Sequence, residues 1–371
     1  MHLFLTMINQ SKQKLVLIGA GHANIQVLHG LSQLDRSLFE LILISDVLKA
    51  PYSGMIPSYL AGDYQHSELH FDLKKICDRF GFQFLHEQVI AIDSKSQVIR
   101  LQSGSLIHYD LASLNVGIQP QSITSQEQKS VLLVKPISGL IEKWKSLEHL
   151  EESSIISVVG GGAGAFEIAV AGRRRFNGIK VQLITGDDGL LPSLNAKAQL
   201  LAKASLNNLN IQLFEGSRVQ EHLDGALKLK NGKLIPTTIS LLATSAKAPD
   251  WFKTSGLPTN SAGFVQVQSD LLVKGSKNLF AAGDCCEFTN HTLPKAGVFA
   301  VRQGPIILEN MKSLVQKESS LQNYQPQKNF LTILVSGNKT AIASRGSWAF
   351  EGRMAWVLKN WIDRKFMKRF K

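Results

Sequence analysis

One pattern occurs twice in this chain: a short aliphatic run ends in a glycine-rich turn that opens onto a helix-compatible stretch. The first copy runs from Leu15 to Ile18 into Gly19, Ala20 and Gly21, continues as a helical stretch to about Leu34, and reaches a second aliphatic run from Leu41 to Ile44. Short apolar runs of this kind suit strands buried on both faces of a parallel sheet. Strand, glycine turn, helix and strand within about thirty residues is the context that a dinucleotide-binding fingerprint requires.

The glycines carry the chemistry. Gly19 permits the tight turn, and Gly21 lets the backbone approach a pyrophosphate seated at the positive N-terminus of the helix. The third fingerprint position holds Asn24, which is expected to keep the helix slightly further from the strand. The second copy starts about 140 residues later. Ser154 to Val159 leads into Gly160, Gly161 and Gly162, with Ala165 at the third position and Glu167 two residues beyond it. Val181 to Ile184 is the next strand. The acidic residue that grips a ribose 2′-hydroxyl is missing from its usual place, where Thr185 and Gly186 precede Asp187 and Asp188. Arg173, Arg174 and Arg175 read as a solvated helix end rather than a 2′-phosphate clamp.

Between and after these copies the chain breaks into short β-like runs, Phe82 to Asn115 and Ile211 to Leu242, with turns at Asp93-Ser94, Ser103-Gly104 and Asn231-Gly232. The fold class expected is α/β: two Rossmann-like three-layer dinucleotide-binding domains with small antiparallel β insertions, plus a C-terminal α/β segment. Residues 1–119 are expected to form the first part of one dinucleotide-binding domain, 120–243 a second such domain, 244–315 the second part of the first, and 316–371 a C-terminal interface or membrane-surface segment. The polar stretch from Pro120 to Ser130 is the expected crossover.

Bulk properties narrow the classes. At 371 residues, with 44% hydrophobic and 19% charged residues, the chain is a folded protein of two or three domains. No apolar run reaches 18 residues, so no membrane-spanning helix is expected. The start, Met1 to Gln10, lacks a basic leader and a small-residue cleavage site, so no signal peptide is expected. Cys77, Cys285 and Cys286 cannot build a disulfide framework, and a reducing cytoplasmic setting follows. The net charge of +12 calls for an anionic partner: nucleotide phosphates, nucleic acid or an acidic lipid surface. Ten histidines include His66 and His70 at i,i+4 spacing, but no third ligand has metal-site spacing, and no metal is expected.

Several motifs in order resemble the two-dinucleotide-binding-domain flavoproteins, the pyridine nucleotide-disulfide oxidoreductases. Besides the glycine turns there are Leu242 to Ala246, similar to the family's return segment, and Asn278 to Asp284. The resemblance implies FAD on the first unit, with Asp284 bonded to the ribityl chain, and NAD(P)H as cosubstrate on the second. Three stretches, Ala50 to Pro57, Pro294 to Gly304 and Gly346 to Phe370, are similar to type II NADH dehydrogenases and to flavoprotein domains fused to selenide, water dikinase; no dikinase sequence accompanies them here. The residues expected at the first cofactor are Gly19, Gly21, His22, Ala23, Gly117, Gly283, Asp284, Lys295 and Ala296. The loop from Pro51 to Met55 is expected to lie along it, bringing Tyr52, with Lys49 near the phosphates. Ser45 by position, or Asp46 by chemistry, meets the adenosine ribose. Gly160, Gly162 and Glu167 serve the nicotinamide dinucleotide.

The family's dithiol is absent from the helix after the first turn, so disulfide reduction is not expected. Cys285 and Cys286 follow Asp284 and read as small buried cysteines, with an approach to the flavin as the alternative; a sulfide-oxidising pair of Cys77 with Cys285 is a further one. Hydride transfer through a flavin needs orientation more than protein acid–base chemistry, and no catalytic residue is assigned. Phe299, Arg302 and Gln303 are expected on the acceptor side.

The tail from Gly352 to Lys371 is helix-compatible, with Met354, Leu358, Ile362, Phe366 and Phe370 in one i,i+4 row and seven basic residues. That composition fits a helix lying in an anionic membrane interface, on the inner face of the cell membrane, or one packed on its own protein or on a dimer partner. The activity implied is transfer from NAD(P)H through FAD to an acceptor such as a quinone. The alternatives are oxidation of sulfide or selenium compounds, and cofactor sensing without turnover. No nucleic-acid motif is present.

Overall fold

A computed structural model describes residues 12–120, 130–244, 246–318 and 320–370. Met1 to Gln10, most of the expected crossover after Pro120, Ser245 of the return segment, and Lys371 lie outside the described residues. In chain order the principal strands begin with β1 (Gln13–Ile18), β2 (Phe39–Ser45), β3 (Gln83–His86) and β4 (Leu111–Leu114). Next come β5 (Val131–Leu133), β6 (Ile155–Val159), β7 (Lys180–Ile184), β8 (Gln212–Phe214), β9 (Ile239–Leu242) and β10 (Leu279–Ala281). β11 (Thr332–Gly337), β12 (Thr340–Arg345) and β13 (Trp348–Gly352) follow. The helices that shape the site are α1 (His22–Leu31), α2 (Ala163–Arg175), α3 (Gly297–Val315) and α4 (Arg353–Phe370).

Two compact units emerge. The first comprises Met1–Leu48, Asp72–Gly117 and Pro249–Gln325. Its sheet has the order β10-β4-β1-β2-β3, all parallel, with Leu15 facing both Leu41 and Leu111. The four aliphatic residues Leu15 to Ile18 are buried, as a strand covered on both faces must be. Helix α1 buries Ala23, Ile25, Val27, Leu28 and Leu31, and packs against α3. Gln83 to His86 belongs to this sheet rather than to the antiparallel block, because it pairs in parallel with β2. The antiparallel insertion is Val89–Asp93, Val98–Leu101 and Leu106–His108.

The second unit comprises Lys49–Phe71, Ile118–Ala248 and Pro326–Lys371. Its sheet, β5-β9-β6-β7-β8, repeats the plan: a central strand leads into the glycine turn and is flanked in parallel by the next strand and by the returning one. Val219–Leu223, Ala226–Leu229 and Leu234–Pro236 form the second antiparallel insertion. The fold is therefore α/β with two Rossmann-like sheets. β11, β12 and β13 make an antiparallel sheet on which α4 packs, through Ala341, Ala343 and Ala355.

The tail is helical, but its apolar row does not lie on one face. Steps of four residues advance about 40° around a helix, so a row of five drifts well across it. Phe370 is buried and Phe366 stacks on Tyr52 at 4.8 Å, whereas Met354 is 80% exposed and Trp361 58%. α4 thus has an inward face of Ala355, Asp363, Met367 and Phe370, and an outward one of Met354, Val357, Leu358, Trp361 and Ile362. Beside the outward residues in sequence, Trp348 and Phe350 stack on each other at 5.8 Å and are also exposed. Among the described residues no helix is long and apolar enough to cross a membrane.

Candidate functional site

In the first unit the glycine turn is seated on Asn115, just past β4. Gly19 has φ +83°, and Gly21 donates its amide to the Asn115 carbonyl at 3.2 Å. A Cβ on Gly21 would stand 2.3 Å from Asn115 Oδ1, so no side chain fits there. Asn115 Oδ1 accepts from the amides of Ala23 at 3.0 Å and Asn24 at 3.3 Å, and its Nδ2 donates to the Ala282 carbonyl at 2.7 Å. One side chain therefore ties the start of α1 to the ends of β4 and β10.

Asn24, at the third fingerprint position, is a hydrogen-bonding centre. Fully buried, it donates from Nδ2 to the carbonyls of Ile18, Gly19 and Ser113 and accepts from Ser113 Oγ at 2.7 Å. Its amide adds a bond to the Gly19 carbonyl and second bonds at the strand ends, where the Ile18 carbonyl also accepts from the Asn115 amide at 2.8 Å.

Asp284 sits in the turn Gly283–Cys285 after β10, and Gly283 donates its amide to Gln303 Oε1 of α3 at 2.7 Å. Asp284, Cys286, Lys295, Phe299 and Gln303 line a common recess; Arg302 is exposed and is not among the lining residues. Lys295 donates to the Cys286 carbonyl at 2.7 Å, pairs with Glu287 at 3.3 Å, and lies over the Phe264 ring at 4.0 Å. Ala296 is the N-cap of α3. Burial pushes the pKa of His22, the first residue of α1, down to about 4 against the opposing pull of Asp284, so its ring is neutral at pH 7. Ser45 is buried and its hydroxyl accepts from the Val47 amide at 3.3 Å, while Asp46 is exposed. Gly117, with φ +72°, has open space where a Cβ would stand.

These residues fit a dinucleotide. Gly19, Gly21 and Gly117 keep side chains away from the tip of α1, and Asp284 supplies an acceptor at the adjoining strand end. The second unit fits as well. Gly160 has a backbone too close to the Ala243 carbonyl for a Cβ, at 2.5 Å. Gly162 is the N-cap of α2, with no side-chain cap and open space around its Cα.

Three predicted residues, Lys49, Tyr52 and Glu167, have surroundings within the second unit that sequence did not reveal. Lys49 is exposed. Tyr52 is buried and donates to Asp363 Oδ1 of α4 at 3.2 Å. Glu167, on α2, accepts through Oε1 from the Val335 amide of β11 at 2.8 Å. Burial pushes the Glu167 carboxyl up to about 7, against the pull of Lys359 and that hydrogen bond. Lys359 donates to the Gly54 carbonyl at 2.8 Å and pairs with Asp363 at 3.2 Å, both side chains being nearly enclosed. Burial alone would lower the Lys359 pKa; Asp363 and Glu167 reverse that and raise it. The result is a desolvated Glu167–Lys359–Asp363 group. Its one sequence signal was Asp363, the lone acid in a basic helix.

The arginine run is spent elsewhere within this unit. Arg173 donates to the Leu209 carbonyl at 3.0 Å, Arg174 makes a two-pronged pair with Asp63 at 2.8 and 2.9 Å, and Arg175 pairs with Glu148. His66 and His70 have ring centroids 4.1 Å apart, and His70 Nδ1 lies 2.9 Å from the His66 carbonyl. All three cysteines are free and buried, and burial pushes the Cys77 thiol up to about 12.

Known proteins share this arrangement. The chain is 26% identical over 289 residues to ferroptosis suppressor protein 1 of Taeniopygia guttata, covering 74% of each chain, and spans 36% of a longer curated relative. Among solved structures, NDH2 from Plasmodium falciparum in complex with NADH superposes with a TM-score of 0.81 at 15% identity, over 97% of both chains. The sulfide:quinone oxidoreductase of Aquifex aeolicus does so with a TM-score of 0.81 at 18% identity, over 96% of this chain and 91% of that one. Residues 13–304 match the model of the pyridine nucleotide-disulphide oxidoreductases. With both glycine turns, the Asp284 turn and both parallel sheets inside that span, the chain belongs to the pyridine nucleotide-disulphide oxidoreductase family, and FAD and NAD(P)H are the cofactors that membership implies.

Proposed function

We propose that this protein is an FAD-dependent NAD(P)H oxidoreductase that delivers electrons to a quinone at a membrane surface. The observation that carries the redox half is the duplication itself: two glycine-turn units in one family-matched span, the first joined to Asp284 and the second with an uncapped α2. FAD, when bound, would supply the redox chemistry: hydride acceptance from the nicotinamide and electron release to the acceptor. The chain's residues bind and orient. Asp284 holds the ribityl chain, Gly19, Gly21, His22, Ala23 and Gly117 admit the pyrophosphate, and Ser45 or Asp46 meets the ribose. Gly160 and Gly162 admit the second dinucleotide. Neutral His22 adds no charge to the anion at the tip of α1. Glu167, poised near neutral pH, holds or releases a proton in an enclosed setting.

The acceptor half rests on α4. Its outward face presents Met354, Val357 and Trp361, flanked by Arg353, Lys365, Lys368 and Arg369, which matches an anionic lipid surface. The Aquifex protein is a quinone oxidoreductase by name, and the Plasmodium protein was solved with NADH. Anaerobic stopped-flow reduction of the yellow protein by each nicotinamide, followed by reoxidation with quinones, tests the reading. Bleaching by at least one nicotinamide and recovery by quinone are expected. Flavin that neither nicotinamide bleaches would sink the hydride step, and recovery with soluble dyes but no quinone would sink the acceptor.

A further inference from the structure

We propose that the nicotinamide site selects NADH over NADPH, with Asp187 accepting from the adenosine-ribose 2′-hydroxyl and holding Arg218 away from a 2′-phosphate. The inference rests on the nicotinamide reading above and deepens it.

In a strand, glycine turn, helix, strand unit the adenosine ribose lies beyond the end of the second strand, here β7. The residue after β7, Thr185, is fully buried with Oγ1 enclosed, so it cannot read a ribose at the surface. Its amide donates to the Phe214 carbonyl at 2.9 Å, and its carbonyl accepts from Ser217 at 2.8 Å. The next four residues form a turn closed by the Gly189 amide on the Gly186 carbonyl, and that turn carries Asp187 and Asp188, both exposed. Leu191 then donates to the Gly161 carbonyl at 2.7 Å, so the aspartate-bearing loop folds back onto the glycine turn itself. The acid, displaced along the sequence, is thereby carried on a loop fastened at both ends, at Thr185 and at the glycine turn.

The bond from Ser217 to Thr185 also delivers Arg218 to this edge, where its Nε lies 3.2 Å from Asp187 Oδ2. An arginine near the end of β7 is the residue that would accommodate a 2′-phosphate, and Arg218, just before the Val219–Leu223 strand, is brought there. Here Asp187 holds it, and Asp188 adds a second carboxylate to the same loop. A neighbouring cation, Lys203, pairs with Glu215 at 2.6 Å, and Glu215 Oε1 accepts from the Leu190 amide. Arg173, Arg174 and Arg175 are bound elsewhere. A 2′-hydroxyl brings a donor to this edge and finds acceptors; a 2′-phosphate brings negative charge against two aspartates.

Calorimetric binding of ADP-ribose and 2′-phospho-ADP-ribose to the flavin-loaded protein tests this without turnover. The wild type is expected to bind ADP-ribose at least about tenfold more tightly, a difference set by charge at one contact. Asp187→Asn is expected to narrow that ratio about tenfold or reverse it by releasing Arg218. Asp187→Asn combined with Arg218→Gln is expected to lose the gain for the phosphorylated fragment. Tighter binding of the phosphorylated fragment by the wild type, an unchanged ratio in Asp187→Asn, or the whole effect appearing in Asp188→Asn would each overturn the proposal. If neither fragment binds, the nicotinamide reading falls with it; equal binding of both overturns the selection alone.

Discussion

Glu167 Oε1 accepts a hydrogen bond from the Val335 amide at 2.8 Å, which joins the helix after the second glycine turn to the first strand of the C-terminal sheet. The carboxyl is held up to about 7 by burial, above its ordinary value of 4.5. A group whose folded pKa is raised contributes stability that is complete below its unfolded pKa and is lost as pH rises through the folded one. Stability is therefore expected to fall between about pH 4.5 and 7 by up to about 3 kcal/mol from this group. Glu167→Gln should flatten that segment of the profile. Urea unfolding at several pH values checks it, and an unchanged slope in the variant would show that the carboxyl is ionised throughout.

His22 works on the acid side. Its pKa is depressed to about 4 from 6.5, so the stability it contributes is present above pH 6.5 and is lost as pH falls toward 4. In the flavin-free protein His22→Asn is expected to remove part of the acid destabilisation. Thermal melts across pH 4 to 7 read the difference; identical acid limbs would count against a neutral buried ring.

Asn24→Ala leaves three carbonyls and the Ser113 hydroxyl without its amide. A loss of about 2–4 kcal/mol is expected, since each unsatisfied buried group costs about 1–3 kcal/mol and nearby groups share the relaxation. Asn24→Gly restores the usual fingerprint residue and should be no better, because the Gly19 carbonyl and the Ser113 hydroxyl still lack the Asn24 amide. Denaturant midpoints decide, and a glycine variant as stable as the wild type would refute the argument.

Replacing Met354, Val357 and Trp361 together by serine is expected to lower partitioning onto vesicles containing anionic lipid by at least about tenfold. Stability should change by no more than about 0.5 kcal/mol per site, because all three side chains face outward. Co-sedimentation with neutral and anionic vesicles at two salt concentrations separates the apolar from the electrostatic part. Equal binding by wild type and variant would remove α4 as the lipid contact.

The sequence made the glycine turns legible because each is a local event: strand, turn and helix follow one another within a few residues. Asn115 was not legible, since its partners Ala23 and Ala282 lie 92 and 167 residues away, and nothing local distinguishes it from any strand-end asparagine. The Tyr52–Asp363 hydrogen bond spans 311 residues, so the Tyr52 loop could be matched to a motif but not to its packing partner. The tail's composition is readable, but an i,i+4 row does not fix one face, because helical drift carries Phe366 and Phe370 inward. Asp187 looked out of register because the loop that returns it to the glycine turn is set by hydrogen bonds, not by spacing.

The two faces of α4 have a mechanical consequence. With Lys359 held on the Gly54 carbonyl and Asp363 on the Tyr52 hydroxyl on one side, and Trp361 outward on the other, the helix cannot peel away without leaving that carbonyl and that hydroxyl without their partners. It would serve the second unit as a keel rather than a tether: any surface that grips Trp361 also fixes the tilt of the sheet behind it.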